Sequence, residues 1–237
     1  NIDLDAQLLA IRAMLARNRQ ADNKLSQDIK DLDERARPAK ADLAHHLVDL
    51  TIDEIHGSVY QSAATSAAAL GALAPLLESF FSEVFAAFRE QHEAELVEGL
   101  SAIRPEAQDF DPWNPYHYLG SKGPRIEIAL GIIQLTEAIG LSSRLPADHA
   151  AVIEALFTYR NKMLHRGFEW PLKERHAFLK VVAEKRRPEA WFNSSKRGSD
   201  PWVIYMTDDF INRCLAFFDE LLEAAGAYNR ALYDQRP

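Results

Sequence analysis

The chain has 237 residues, 47% of them hydrophobic, and a formal charge of -8 at neutral pH. That is enough apolar material for a substantial core, which rules out a disordered or fibrous chain, and the single cysteine, Cys214, rules out an internal disulfide framework or a cysteine metal site. No charged-then-apolar leader opens the sequence at Asn1 and no apolar run reads as long enough to cross a bilayer, so the cytoplasm is the expected location, with no membrane partner.

Leu4, Leu8, Ile11 and Leu15, then Leu25, Ile29 and Leu32, recur at helical spacing and predict a long polar helix with a thin apolar stripe ending near Pro38. Such a stripe packs on something, a second protomer being one candidate. A second helix is predicted from Pro38 to about Leu50, and Thr51-Ile52-Asp53-Glu54 has the capping-box pattern that opens another, although Gly57 weakens it. Ala63 through Leu100, with Leu70, Leu73, Leu77, Phe80, Phe81, Val84, Phe85 and Phe88, reads as the strongest core helix, and Pro75 predicts a kink or break within it. Residues 104–124 read as a proline-rich, aromatic loop. Pro124 is then expected at the first position of a helix carrying Ile126, Leu130, Ile133 and Ile139 to Gly140.

Pro146 is expected to open the next helix, with Asp148 at its positive dipole end and Gly167 where it stops. After Phe168-Glu169-Trp170-Pro171 come a helix from about Leu172 to Lys185, a polar loop through 193–198 and an extended Pro201–Tyr205. Thr207 caps a last helix carrying Phe210, Leu215, Phe218, Leu221 and Leu222, in which Ile211, Cys214 and Phe218 place the cysteine as a small buried hydrophobe. No repeat or linker divides the chain. The expected architecture is one all-α domain, a helical bundle with its core at 63–165 and 207–234, a long N-terminal helical extension at 1–62, and a basic, aromatic insertion at 166–206 before the last helix.

Charge is unevenly spread. From Arg160 to Arg197 there are eleven Lys or Arg against four Glu, a local charge of +7, whereas the remainder has 16 bases against 31 acids, or -15. An acidic body with one basic segment fits an anionic partner met at one place.

The segment Tyr159-Arg160-Asn161-Lys162-Met163-Leu164-His165-Arg166-Gly167 ends the helix opened by Pro146. Val152, Ile153, Leu156, Phe157, Met163 and Leu164 are expected on its buried side, while Glu154, Thr158, Asn161 and His165 follow steps of four, three and four along one polar stripe. A carboxylate, a hydroxyl, an amide and an imidazole on one line form a plausible hydrogen-bond relay that fixes the tautomer of His165. Arg160 stands on the adjoining shoulder, and Lys162 and Arg166 add positive charge. An arginine that holds phosphate beside an imidazole that titrates near neutrality is the minimum equipment for metal-free RNA cleavage. The bland reading of the same residues is a solvated helix end whose cations complement its dipole.

The Arg160-Asn161-x3-His165 pattern, within the longer string from Tyr159 to Trp170, resembles the signature of the HEPN superfamily, and its bacterial members especially. The resemblance covers the helical core from about Ala63 to His165 and the last helix. It implies a helical bundle that forms a homodimer in which two Arg-His pairs face each other, making a metal-independent endoribonuclease that cleaves single-stranded RNA without a cofactor. On that basis Arg160, Asn161 and His165 would be catalytic: His165 as acid or base for attack of the 2'-hydroxyl on the neighbouring phosphate, Arg160 neutralising the developing charge, and Asn161 orienting the histidine or contacting the phosphate. Lys162, Arg166, Lys173 and Arg175 would bind RNA, with Glu154 and Thr158 in support. The implied context is a toxin, phage defence or RNA processing, with an antitoxin or defence-system protein as a further partner. The alternative is a non-catalytic module of the same fold that binds a nucleotide or a partner protein. Many toxin members carry a Tyr two residues after the His; here that position is Gly167, with Phe168 next, so roles tied to that Tyr do not carry over.

Other constellations are weaker. His45, His46 and His56 are spaced loosely for a metal and no acidic pair completes a site, so none is expected. His117, with Asp109 and Asp111, is expected to pack the aromatic loop on the core. Trp170, Trp191, Phe192, Trp202 and Tyr205 interleave with the basic residues, and the pattern fits either stacking of unpaired bases or packing of the insertion.

Overall fold

The stripe begun by Leu8 and Leu15 forms one helix, α1 (Leu4–Ala36), opened by Asp3, whose carboxylate accepts the Ala6 amide at 3.0 Å. A computed structural model describes residues 3–38, 40–106, 110–185 and 187–234. Among them are six α-helices and two separate two-stranded hairpins, an all-α architecture with small β decorations.

Where separate helices were expected between Pro38 and Leu100, α2 runs from Ala41 to Ile103. Thr51 does not cap a new helix; its hydroxyl donates to the Leu47 carbonyl at 2.8 Å, the i-4 bond open to a threonine inside a helix. Pro75 does not break α2 either. On a regular helix the carbonyl that faces its ring belongs to Gly71, and the backbone is helical at both residues. Among the described residues of α2 His92 is non-helical (φ -138°, ψ 20°), buried with its Nε2 2.8 Å from Asn229 Oδ1 and its ring edge-on to Tyr233. A side chain held by two partners on the last helix sets the break. The expectation that no run is long and apolar enough to cross a bilayer is also corrected. By length and composition a stretch within Leu43–Ile103, of mean hydropathy 1.4, is; half of it is buried inside the protein, as in a core helix.

The aromatic loop folds into a hairpin of β1 (His117–Gly120) and β2 (Gly123–Ile126), turning at Gly123 in the left-handed region (φ 102°). Pro124 therefore pairs with Leu119 in a strand and does not open a helix; a two-stranded ribbon tolerates its missing donor on an outer edge. The helix α3 (Ile128–Ala138) starts two residues after β2. There follow α4 (His149–Arg166) and α5 (Leu172–Glu184). The polar loop expected at 193–198 is instead β3 (Phe192–Arg197), paired with β4 (Asp200–Met206), and α6 (Asp208–Asp234) closes the chain, with the Thr207 hydroxyl accepting the Phe210 amide at 3.3 Å.

Contacts divide the chain into two compact units. The first comprises Asn1–Ala72 and Lys162–Ile211, and so holds both the stretch 1–62 and the basic stretch 166–206. Its core includes an aromatic chain in which Trp170 meets Phe178, Phe178 meets Phe192, and Phe192 and Trp191 both meet Phe210, at centroid separations of 4.6–5.2 Å. The second unit comprises Leu73–Asn161 and Asn212–Pro237. It buries Phe80, Phe81, Phe85 and Phe88 of α2, Ile132 and Leu135 of α3, and Phe217, Phe218 and Leu221 of α6. Cys214 is buried there too, and burial pushes its thiol pKa up, so it is an inert hydrophobe.

Candidate functional site

The sequence motif lies on α4. Asp148 precedes it, receiving a two-pronged contact from Arg213 at 2.6 and 2.7 Å, while the Asp148 carbonyl accepts the Val152 amide at 3.0 Å. Val152, Ile153, Leu156, Phe157, Tyr159 and Met163 are buried. The helix stops where Gly167 takes φ 68° and donates its amide to Met163 at 2.9 Å, and the Trp170 indole donates to the Gly167 carbonyl at 2.9 Å. Leu164 is a correction: expected on the buried side, it is 68% exposed. It stands four residues after Arg160 and so shares that shoulder, not the stripe of Leu156 and Met163. Five positions separate Arg160 from His165, and on a regular helix that is a turn of about 140° between them. One copy of α4 therefore aims the two side chains in divergent directions.

In the second unit Arg160 lines a cleft of about 350 Å³ with Glu78, Tyr116, Phe157, Thr158 and Asn161. Its Nη2 lies 3.6 Å from Glu78 Oε2, an ion pair too long for a hydrogen bond, and its guanidinium sits 5.7 Å from the Phe157 ring centroid. Tyr116 donates its hydroxyl to Glu78 Oε1 at 2.7 Å. That bond, with partial burial, raises the phenol pKa, so Tyr116 stays protonated. No family model, no curated protein and no solved structure matches this chain.

Tyr116 is positioned by a residue that sequence reasoning missed. Arg104 is fully buried at the end of the long helix α2 and donates to the carbonyls of Pro112 (2.6 Å), Asn114 (2.9 Å) and His117 (2.9 Å), and to Gln134 Oε1 (3.1 Å). Burial pushes its pKa down to about 10, so it remains a cation at neutral pH. The His117 ring stacks on Phe110 of the same loop at 6.0 Å; Asp109 lies outside the described residues. Gln134 clamps β1 from the other side, accepting from the Leu119 amide and donating to its carbonyl, both at 2.9 Å.

The cations expected to bind RNA lie in the first unit, and three of them are engaged. Lys162 donates to Glu174 Oε2 at 2.8 Å and Arg166 pairs with Glu174 Oε1 at 3.0 Å. The Lys162 hydrogen bond, with both positive charges, holds the Glu174 carboxyl below its usual range. Arg175 is half-buried and donates to the carbonyls of Pro201 (2.6 Å) and Trp202 (2.8 Å), tying α5 to β4. Lys173 is exposed and makes no ion pair among the described residues. On α4, Glu154 and Thr158 are half-buried and Asn161 and His165 exposed; among the described residues no hydrogen bond fixes the His165 ring, so the expected relay does not orient it. Solvent competes for both groups at a helix end. No group of three potential metal ligands occurs among the described residues, and His45, His46 and His56 form none.

Glu78, Tyr116 and Glu174 also escaped sequence reasoning. Glu78 had a faint signal, a carboxylate set between Leu77 and Phe80 in the Phe-rich stretch of α2. Tyr116 and Glu174 had none, because their partners are set by chain folding.

Proposed function

We propose that the chain is a metal-independent, HEPN-type endoribonuclease that acts on single-stranded RNA as a homodimer, with a toxin, defence or RNA-processing role in the cytoplasm. The observation that carries this reading is α4 itself: Arg160 on a cleft, an exposed His165 on the last turn, and a glycine stop, on one continuous helix. The divergence of the two side chains supports completion by a second copy, and the exposed Leu164 between them supplies an apolar contact for it.

In that arrangement one His165 takes the proton of a 2'-hydroxyl as its oxygen attacks the adjacent phosphorus. The bond from phosphorus to the 5'-oxygen breaks, and the partner copy's imidazolium returns a proton to that leaving oxygen, yielding a 2',3'-cyclic phosphate and a 5'-hydroxyl. Arg160 neutralises charge on the phosphoryl oxygens, for which its 3.6 Å contact with Glu78 leaves donors unspent. Asn161 contributes a neutral donor at the same cleft.

The test is incubation with single-stranded RNA in excess chelator. Cleavage to cyclic-phosphate ends, reduced at least about 100-fold in His165→Ala, is expected; no cleavage of any RNA, or equal cleavage by the variant, refutes the catalytic assignment. A non-catalytic nucleotide- or protein-binding module is the second reading, favoured by the absence of a hydrogen bond to orient His165 among the described residues.

A further inference from the structure

The first unit holds a second cleft, of about 490 Å³, whose residue types differ from those around Arg160. One wall is a face of α2, where Ile55, His56, Val59 and Tyr60 recur at helical spacing. The other is the β3–β4 hairpin, through Lys196, Arg197 and Trp202. The hairpin register slips between Ser194 and Lys196, and at the slip the Ser195 hydroxyl accepts the Val203 amide at 3.0 Å in place of a regular ladder acceptor. Such an irregularity re-aims the side chains that follow it, here Lys196 and Arg197.

Trp113, Trp170 and Trp191 are buried, but Trp202 is half-exposed, with His56 and Tyr60 edge-on to it at centroid separations of 5.5 Å. Arg197 lies 6.0 Å from the same ring. The Tyr60 hydroxyl donates to Glu169, which fixes the tyrosine ring. Lys196 and Arg197 are exposed and make no ion pair among the described residues. No carboxylate is among the lining residues, although Glu169, bonded to Tyr60 and next to Trp202, is close enough to feel the Arg197 charge; the Arg160 cleft is itself lined by Glu78 and Glu127.

We propose that this cleft binds one unpaired nucleobase with its attached phosphate, the base against Trp202, Tyr60 and His56 and the phosphate on Lys196 and Arg197. Aromatic rings accept any base face and cations hold the backbone, which is how single strands are gripped without sequence readout. The volume lies in the range of small-ligand clefts, about 300–1,000 Å³. The choice of RNA as the natural source rests on the ribonuclease reading; the base-and-phosphate chemistry does not.

The experiment titrates AMP, adenosine and a short oligoadenylate into His165→Ala protein, which removes the proposed acid-base group so that the RNA survives, and follows tryptophan fluorescence. Saturable quenching by the phosphorylated ligands is expected, with adenosine weaker. The exposed-site double variant Lys196→Glu/Arg197→Glu should weaken binding at least about fivefold. Trp202→Phe, which keeps a ring, should abolish the quenching while competition with labelled oligoadenylate persists. Tighter binding of the oligomer than of AMP identifies a strand as the ligand, and equal binding a free nucleotide. No saturable binding of either, or binding by the folded double variant within twofold of its parent, overturns the proposal. If the wild-type protein cleaves no RNA but this binding holds, only the catalytic assignment falls.

Discussion

Replacing Arg104 by Met keeps much of the side-chain volume and removes every donor of a fully buried guanidinium. The carbonyls of Pro112, Asn114 and His117 and the Gln134 side chain each lose a hydrogen bond of 2.6–3.1 Å. A buried acceptor left unpaired costs about 1–3 kcal/mol. Relief from burying a cation offsets part of the total, and cases of this kind net roughly 3–5 kcal/mol. For a chain of this size that lowers Tm by about 10 °C. Because the folded pKa of about 10 and the still higher ordinary arginine value both lie above neutrality, the deficit should be flat from about pH 6 to 9, since neither state titrates there. Arg104→Lys, which retains a charge but not the planar fork, should fall between wild type and Met. Thermal melts across that pH range measure both effects. A loss below about 3 °C in Arg104→Met would show that the loop carbonyls are satisfied another way, and would refute the role of Arg104 in positioning Tyr116.

On the proposed homodimer, Leu164→Glu should lower the mass by light scattering to that of a monomer with Tm changed by no more than about 2 °C, since the residue supports no core; a dimeric mass kept by the variant would remove Leu164 from the proposed interface, and a monomeric wild type would refute the homodimer. Asp148→Asn should cost about 1 kcal/mol, because the carboxylate, paired with Arg213, is 40% exposed and partly screened by solvent. Arg213 holds the folded Asp148 pKa below its ordinary 3.8, so its stabilisation is fully present above that value and lost as pH falls through the lower folded value. The Tm gap between wild type and Asp148→Asn should therefore be constant at pH 5–7 and close in strong acid; a gap that persists there counts against the pair. Glu174→Gln should free Lys162 and Arg166 and steepen the salt dependence of RNA binding by about one unit in log-log slope, measured by filter binding from 50 to 200 mM salt. An unchanged slope would mean that neither cation meets phosphate.

Local pattern made several elements legible before any tertiary contact was known. The stripe of α1, the start of α5, the cap at Thr207 and the stop at Gly167 all depend on residues within a few positions of one another. The misreadings share a different cause. Thr51 looks like a cap because Asp53 and Glu54 follow it, yet α2 continues, because a capping signature cannot tell an end from an interior position that packing keeps helical. Pro124 looks like a first helical residue because it precedes Ile126 and Leu130, but Arg104 and Gln134 draw the preceding loop into a hairpin.

The same division runs through the candidate sites. Sequence alone determined that Arg160, Asn161 and His165 share one helix and that positive charge gathers between 160 and 197, because helical phase and composition are local properties. Tertiary structure alone decided which of those charges remain available: Glu174 takes Lys162 and Arg166, two backbone carbonyls take Arg175, and Lys196 and Arg197 stay exposed beside Trp202. An ionic group pairs with whatever the fold brings within a few ångströms, and that distance is set by chain segments far apart in sequence.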